Sequence, residues 1–74
     1  MEKAQMLPEY LKELRKMQNY KQEEVASRLH ISRQNYSHYE TGRRKPSVSV
    51  LYKLAKLYGV SADDLLEHME IPNF

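Results

Sequence analysis

Cysteine and tryptophan are absent from this 74-residue sequence, and glycine (two residues) and proline (three residues) are scarce. Without cysteine, neither a disulfide framework nor a thiolate zinc site can stabilise the chain, so the fold must depend on apolar packing. Two glycines are too few for a glycine-rich phosphate loop. No apolar run approaches the roughly 20 residues of a membrane span, and the N-terminus lacks the continuous apolar stretch of a signal peptide. We therefore expect one small, soluble, cytoplasmic domain that occupies residues 1–74.

Acidic residues are nearly missing from the middle of the chain, although the net charge is only +2. Residues 28–60 contain seven basic residues and one acidic residue, whereas residues 61–74 contain four acidic residues and no basic ones. A concentrated cationic block attracts a polyanion such as nucleic acid. The alternative is a solvated charged face, and charge alone leaves both interpretations open.

Apolar residues recur at helical spacing along the whole sequence, and no strand-like alternation interrupts them. This pattern predicts an all-α fold of five helices with short connections. The first helix is expected to open at Pro8 and to stop at Asn19. Its predicted apolar face carries Leu7, Tyr10, Leu11, Leu14, Met17 and Gln18. The second helix is predicted over residues 22–29, and the third runs from residue 33 to about residue 41.

Capping residues mark the ends of the last three predicted helices. The natural N-caps are Ser32, Ser47 and Ser61, and the glycines that can end the third and fourth helices are Gly42 and Gly59. The apolar residues of the fourth helix are Val48, Leu51, Leu54, Ala55 and Tyr58. Ser61 and Asp64 resemble a capping box that opens a fifth helix. This helix is expected to contain Leu65, Leu66 and Met69 and to end at Pro72.

The predicted third helix has one face made entirely of hydrogen-bonding side chains. At about 100° per residue, this face consists of Arg33, Gln34, Ser37, His38 and Thr41. Two tyrosines, Tyr36 and Tyr39, fall on the opposite side and can anchor the helix. A helix built in this way can read base edges in a major groove. The alternative is an ordinary solvated polar face, and the helix geometry alone leaves both interpretations open.

The second and third helices, separated by residues 30–32, match a helix-turn-helix, in which the later helix enters the groove. Residues 11–66 resemble the lambda-repressor-like helix-turn-helix proteins of the phage repressor, Cro and XRE type. The positions at the family's spacing are Arg15, Gln22, Ala26, Glu40, Gly42, Pro46, Leu54, Ala55 and Val60. The resemblance implies a compact five-helix DNA-binding domain of bacterial or phage origin. Its family core covers about residues 7–68, between a short N-terminal arm and a C-terminal tail.

The resemblance also implies roles for individual residues. Base contacts are expected from Ser32, Arg33, Gln34 and His38, and Arg33 suits a bidentate contact to guanine. Phosphate contacts are expected from Gln22, Asn35, Ser37, Arg43, Arg44 and Lys45. The positive end of the second helix supports such a contact by Gln22. Arg15 and Glu40 correspond to the ion pair that bridges the first and third helices in this family.

Three residues depart from the family pattern. Lys21 replaces the usual Ser or Thr N-cap of the second helix, so this cap is either lost or replaced by Glu24. His30 replaces a glycine in the turn, but histidine is among the residues that tolerate a positive φ, so we expect the turn to be kept. Tyr36 replaces a smaller aliphatic residue, which would place the third helix slightly farther from the core.

No arrangement of residues predicts catalysis. The three histidines lack metal-ligand spacing, and no serine has a base and an orienting acid around it. We therefore predict a non-enzymatic, sequence-specific regulator, a repressor that binds an operator on double-stranded DNA as a homodimer. No metal, cofactor, small-molecule ligand or membrane is implied. The alternative is an antitoxin-like module that binds a protein partner and autoregulates its own operon, for which only residues 69–74 could supply an extra binding segment.

Overall fold

Five α-helices follow one another along residues 6–69, the part of the chain that the computed structural model describes. They are α1 (Leu7–Met17), α2 (Gln22–Leu29), α3 (Arg33–Thr41), α4 (Val48–Tyr58) and α5 (Ala62–Glu67). No strand occurs within this range. The all-α prediction and the order of the five helices are therefore confirmed.

Local hydrogen bonds explain where the helices begin. Three of them start with a serine whose hydroxyl oxygen accepts a hydrogen bond from the backbone N–H three residues later. These serines are Ser32, Ser47 and Ser61, with distances of 3.0, 3.2 and 3.0 Å. At α2 the Lys21 side chain cannot accept such a bond. Instead, the Glu24 carboxylate accepts a hydrogen bond from the Lys21 backbone N–H at 2.7 Å, so Glu24 replaces part of the missing cap.

Left-handed backbone conformations separate the helices. Gly42 and Gly59 end α3 and α4 with φ of 83° and 73°, as the sequence predicted. Asn19 and His30 also have positive φ, both of 60°, although neither is a glycine. His30 thereby keeps the turn between α2 and α3, because its N–H and that of Ile31 still reach carbonyls of α2.

We expect His30→Gly to raise the free energy of unfolding by up to about 1 kcal/mol. Removal of the Cβ relieves a left-handed strain of roughly 1–2 kcal/mol, and the greater freedom of glycine in the unfolded chain offsets part of this gain. Urea melts of the two proteins measure the difference. His30→Ala keeps the Cβ and serves as the control, which should show no such gain. A loss of stability in His30→Gly would contradict the strain that we assign to this turn.

All five helices contribute to one apolar core. Its buried side chains are Leu7, Leu11, Leu14, Val25, Ala26, Leu29, Tyr36, Tyr39, Leu51, Leu54, Ala55, Tyr58 and Leu65. Tyr36 is completely buried despite its size. Gln18 was predicted on the apolar face of α1, but it contributes a hydrogen bond and not apolar packing. Its Nε2 donates to the Tyr58 carbonyl oxygen at 2.7 Å, and this bond joins the ends of α1 and α4.

Three predicted core residues face solvent. Val48 is 82% exposed and Met17 is 72% exposed, because each lies at the terminus of its helix, beyond the part that packs against the apolar core. Leu66 is also exposed, since Leu65 already points inward and adjacent helical residues point about 100° apart. The prediction was also wrong about Met69. Helix α5 ends at Glu67, and Met69 packs half-buried against the core beyond it, while Pro72 lies outside the described residues.

The start of α1 and the end of α5 are joined side by side. The Leu7 N–H donates to the His68 carbonyl at 2.8 Å, and the Tyr10 ring stacks on the His68 ring at 3.8 Å between centroids. The Tyr10 hydroxyl donates to the Asp64 carboxylate, and this hydrogen bond is the main reason that the pKa of Tyr10 rises to about 12. These contacts fix α5 against α1.

Candidate nucleic-acid interface

Helix α3 is anchored on one side and open on the other. Tyr36, Tyr39 and Glu40 are buried on its inner side. Arg33 and Gln34 are exposed on its outer side. Ser37 and His38 are half-buried along the same outer side, and Thr41 is exposed. The structure therefore places the predicted polar side chains on the free surface of α3.

The inner side of α3 is held by paired aromatic rings. The Tyr36 and Tyr39 rings pack edge to face, with centroids 6.3 Å apart. The hydroxyl oxygens of Tyr36 and Tyr58 lie 2.6 Å apart and form a buried hydrogen bond between α3 and α4. Burial raises the pKa of both phenols, that of Tyr58 to about 12, so both rings stay neutral at physiological pH. The large residue at position 36 is thus fully accommodated.

A salt bridge under α3 contains the only carboxylate of residues 28–60. The Arg15 Nε donates to Glu40 Oε2 at 2.7 Å, and its Nη2 donates to Glu40 Oε1 at 3.1 Å. The Arg15 side chain is 12% exposed and the Glu40 side chain 3%. Arg15 also donates through Nη1 to the Tyr20 carbonyl at 3.0 Å. This bidentate pair, which the resemblance implies, joins α1 to α3. It also buries and neutralises the single negative charge of residues 28–60.

Glu40 accepts a further hydrogen bond beyond that pair. The Gln22 Nε2 donates to Glu40 Oε1 at 3.0 Å. Burial by itself raises the pKa of Glu40, but the polar groups around the carboxylate, first of all Arg15, outweigh burial and lower the pKa below its ordinary value. Glu40 is consequently ionised at neutral pH and can only accept hydrogen bonds.

We expect the lowered pKa of Glu40 to make the fold sensitive to acid. A depressed pKa contributes stability that is complete above the ordinary glutamate pKa of about 4.3 and is lost as the pH falls through the folded-state value. The free energy of unfolding of the native protein should therefore approach that of Glu40→Gln as the pH is lowered from 7 to 3. Urea melts at a series of pH values measure this. The exposed variant Glu23→Gln is the control, and it should keep the native pH dependence. If the difference in free energy of unfolding between the native protein and Glu40→Gln were the same at pH 3 and at pH 7, the lowered pKa of Glu40 would be contradicted.

An open cleft lies at the N-terminus of α2, where Lys21 and Arg33 add positive charge, Glu23 adds one negative charge and Arg15 is paired with Glu40. It is lined by Arg15, Lys21, Gln22, Glu23 and Arg33. The backbone N–H groups at a helix N-terminus and the positive end of the helix dipole favour an anion in such a place. The cleft has the chemistry of a phosphate site, and it adjoins the first residue of α3.

A cationic surface follows α3. Arg43, Arg44 and Lys45 are all exposed, and the next residue, Pro46, is buried and ties this loop to the fold. The Arg44 N–H donates to the His38 carbonyl at 3.3 Å, and its Nη1 donates to Asn35 Oδ1 at 3.4 Å. The open side of α3 therefore has positive charge at both ends.

The structure places the predicted site residues in three groups. Arg33, Gln34, Ser37 and His38 line the outer side of α3, Gln22 lies in the cleft before it, and Arg43, Arg44 and Lys45 form the loop after it. Asn35 lies to the side of this face, against Arg44, and Ser32 caps α3. Sequence reasoning missed the Gln22–Glu40 contact and the place of Lys21 in the cleft, since neither leaves a periodic signal.

Residues 6–69 contain neither a metal-binding cluster nor a membrane-spanning helix. No group of three histidine, aspartate or glutamate side chains there could hold a metal ion. None of the five described helices is long and apolar enough to span a membrane.

Comparison with known proteins identifies the arrangement of α2 and α3. A family model described as helix-turn-helix matches residues 11–65, which include α2, the turn and α3. The chain belongs to the helix-turn-helix family. It is 42% identical over 62 residues to YonR of Bacillus subtilis, named as a prophage-derived, uncharacterized HTH-type transcriptional regulator. That match covers 84% of this chain and 57% of YonR.

Solved structures agree with this helix-turn-helix assignment. The crystal structure of SinR, a master regulator for biofilm formation, in complex with DNA matches with a TM-score of 0.75 and 27% identity, over 82% of this chain and 98% of SinR. The P22 c2 repressor, crystallised with a synthetic operator, matches with a TM-score of 0.78 and 24% identity, over 82% of this chain and 92% of the repressor. The second likeness concerns the fold alone, and it confirms the predicted lambda-repressor-like architecture.

This chain spans about half the length of the curated helix-turn-helix relatives it matches. Those relatives are named as regulators of transcription, not as enzymes. The prediction that this domain is not an enzyme is confirmed by its family.

Proposed function

We propose that this protein regulates transcription by binding double-stranded DNA in a sequence-specific manner, with α3 in the major groove. One observation carries the proposal. The only carboxylate of residues 28–60, Glu40, is buried against Arg15, so the open side of α3 shows only neutral and cationic groups, with Arg33 at its start and residues 43–45 after its end. A polyanion is attracted by such a surface. The DNA complex of SinR, a relative in fold and sequence, supports the same reading.

The exposed side chains fall into two groups, those that can contact bases and those that can contact phosphates. On the outer side of α3, Arg33, Gln34 and His38 carry donors and acceptors that fit base edges. Ser32 is committed to the N-cap through its oxygen, so its hydroxyl hydrogen is what remains for a base. Phosphate contacts are assigned to Gln22, Asn35, Ser37, Arg43, Arg44 and Lys45. They hold the helix in register without reading sequence.

Pairing of two copies completes the proposed mode of action. A single recognition helix contacts only a few base pairs, which is too little to select one site in a genome. Two copies bound to half-sites about one helical turn apart double the number of base pairs read. A protein bound in this way occupies the DNA that a polymerase needs, so repression by occupancy of an operator is the proposed outcome.

Selection of bound sequences from random double-stranded DNA tests the proposal. We expect the enriched sequences to contain two half-sites related by two-fold symmetry, with centres about 10 base pairs apart. Deletion of one half-site should weaken binding strongly, and band shifts should show two copies on the intact site. Enrichment of a single half-site would contradict the pairing. Binding without any preferred sequence would contradict the proposed function.

A further inference from the structure

The Gln22 side chain lies between a buried carboxylate and the open cleft. On one side its Nε2 donates to Glu40 Oε1 at 3.0 Å. On the other side it lines the cleft together with Arg15, Lys21, Glu23 and Arg33. Gln22 is also the first residue of α2, where a helix favours an anion. The amide is therefore in contact with one anionic group and adjacent to the place where another would bind.

The chemistry of the two groups determines which end of the amide faces Glu40. A glutamine amide has a carbonyl oxygen, which only accepts hydrogen bonds, and an NH₂ group, which only donates. The ionised Glu40 carboxylate only accepts, so it excludes the orientation in which the Gln22 oxygen faces it. The nitrogen carries two hydrogens, and Glu40 takes one of them. The second hydrogen remains available to an acceptor in the cleft.

We infer that Glu40 is a positioning residue for DNA binding, because it holds the Gln22 NH₂ group so that this one group bridges the buried carboxylate and a DNA phosphate. The inference rests on the proposed function. Arg15 makes the arrangement possible, since it neutralises Glu40 and allows two anionic groups to approach the same nitrogen. Without Glu40 the amide can rotate and present its oxygen, which repels a phosphate.

The proposed role of Glu40 predicts an effect on DNA affinity that is opposite in sign to the effect expected from net charge alone. Glu40→Gln adds one positive charge to the protein, and added positive charge strengthens binding to DNA. Loss of the positioned NH₂ group weakens binding. We expect Glu40→Gln to lose about tenfold in affinity at constant salt, the effect of one hydrogen bond to a charged group. The matched control is Glu23→Gln, which makes the same charge change at an exposed carboxylate lining the same cleft and should bind more tightly than the native protein.

Single-phosphate substitution identifies the group that Glu40 acts through. Native protein is titrated against the selected site with one methylphosphonate at a time. We expect one phosphate in each half-site, at the α2 end, whose neutralisation weakens binding about tenfold. Gln22→Ala and Glu40→Gln should both be insensitive at that phosphate and remain sensitive at phosphates near Arg43, Arg44 and Lys45. The double variant should bind no more weakly than either single variant.

A nuclear magnetic resonance experiment on the native protein does not depend on the stability of any variant. In ¹H–¹⁵N correlation spectra, the ¹H chemical shift of one hydrogen of the Gln22 side-chain amide should change when DNA is added. The ¹H chemical shift of the other hydrogen, which is donated to Glu40, should stay the same. An unchanged Gln22 amide, or displacement of both hydrogens, would overturn the inference. A loss of affinity in Glu40→Gln that is equal for every methylphosphonate would also overturn it, since a structural defect acts in this way. Failure of the native protein to bind any DNA would instead overturn the proposed function.

Discussion

Arg15→Met and Glu40→Leu should each lower the free energy of unfolding by about 3 kcal/mol or more. The side chains are 12% and 3% exposed, so removal of one leaves the other charged, largely buried and without its main partner. Breaking a buried pair in this way costs about 3–5 kcal/mol, whereas an exposed pair contributes under about 1 kcal/mol.

The double variant Arg15→Met with Glu40→Leu isolates the interaction. It removes both charges, so its loss of stability should be clearly smaller than the sum of the two single losses. Urea melts of the native protein and the three variants at pH 7 give the coupling energy. A coupling energy near zero would show that the pair contributes nothing to the joining of α1 and α3.

Arg33→Ala and Lys45→Ala should weaken DNA binding in different ways, because one side chain is assigned to a base and the other to a phosphate. Arg33→Ala is expected to cost about 1–3 kcal/mol on the selected site and to relax the base preference at one position. Lys45→Ala should weaken binding to selected and scrambled DNA alike. It should also make the dependence of log affinity on log salt shallower by about one unit, since one fewer counterion is released.

Both variants are measured on both DNAs at several salt concentrations. Arg33 and Lys45 are exposed, so circular dichroism should show native helix content in each variant. Equal losses for Arg33→Ala on selected and scrambled DNA would contradict the base contact. A loss for Lys45→Ala that is confined to the selected DNA would contradict the phosphate contact.

The sequence predicted those features that depend on neighbouring residues. Ser32 and Gly42 mark the ends of α3 because a cap and a left-handed residue act within a few positions of the chain. The resemblance implied the Arg15–Glu40 pair. Burial of Tyr36 and Tyr39 followed from their positions around the helix axis.

Features that depend on how separate helices meet could not be predicted in the same way. The Gln22–Glu40 and Tyr36–Tyr58 contacts join residues 18 and 22 positions apart, and no local pattern signals them. Val48 has the helical spacing of a core residue, but no other part of residues 6–69 covers the first turn of α4 on that side. Periodicity shows which face of a helix is apolar, while tertiary packing determines how far along the helix that face is covered.

Under the proposed function, the two-sided construction of α3 allows binding specificity to change separately from stability. Arg33 and Gln34 project from a helix that is held from its inner side by Tyr36 and Tyr39, so substitutions at 33 and 34 leave the core untouched. Changes at these outer positions would then give a different DNA preference on one unchanged scaffold. Ser32 is the exception, because its oxygen caps α3 and its replacement by alanine costs about 1 kcal/mol. A library of altered specificities would accordingly vary residues 33, 34 and 38 and keep the serine.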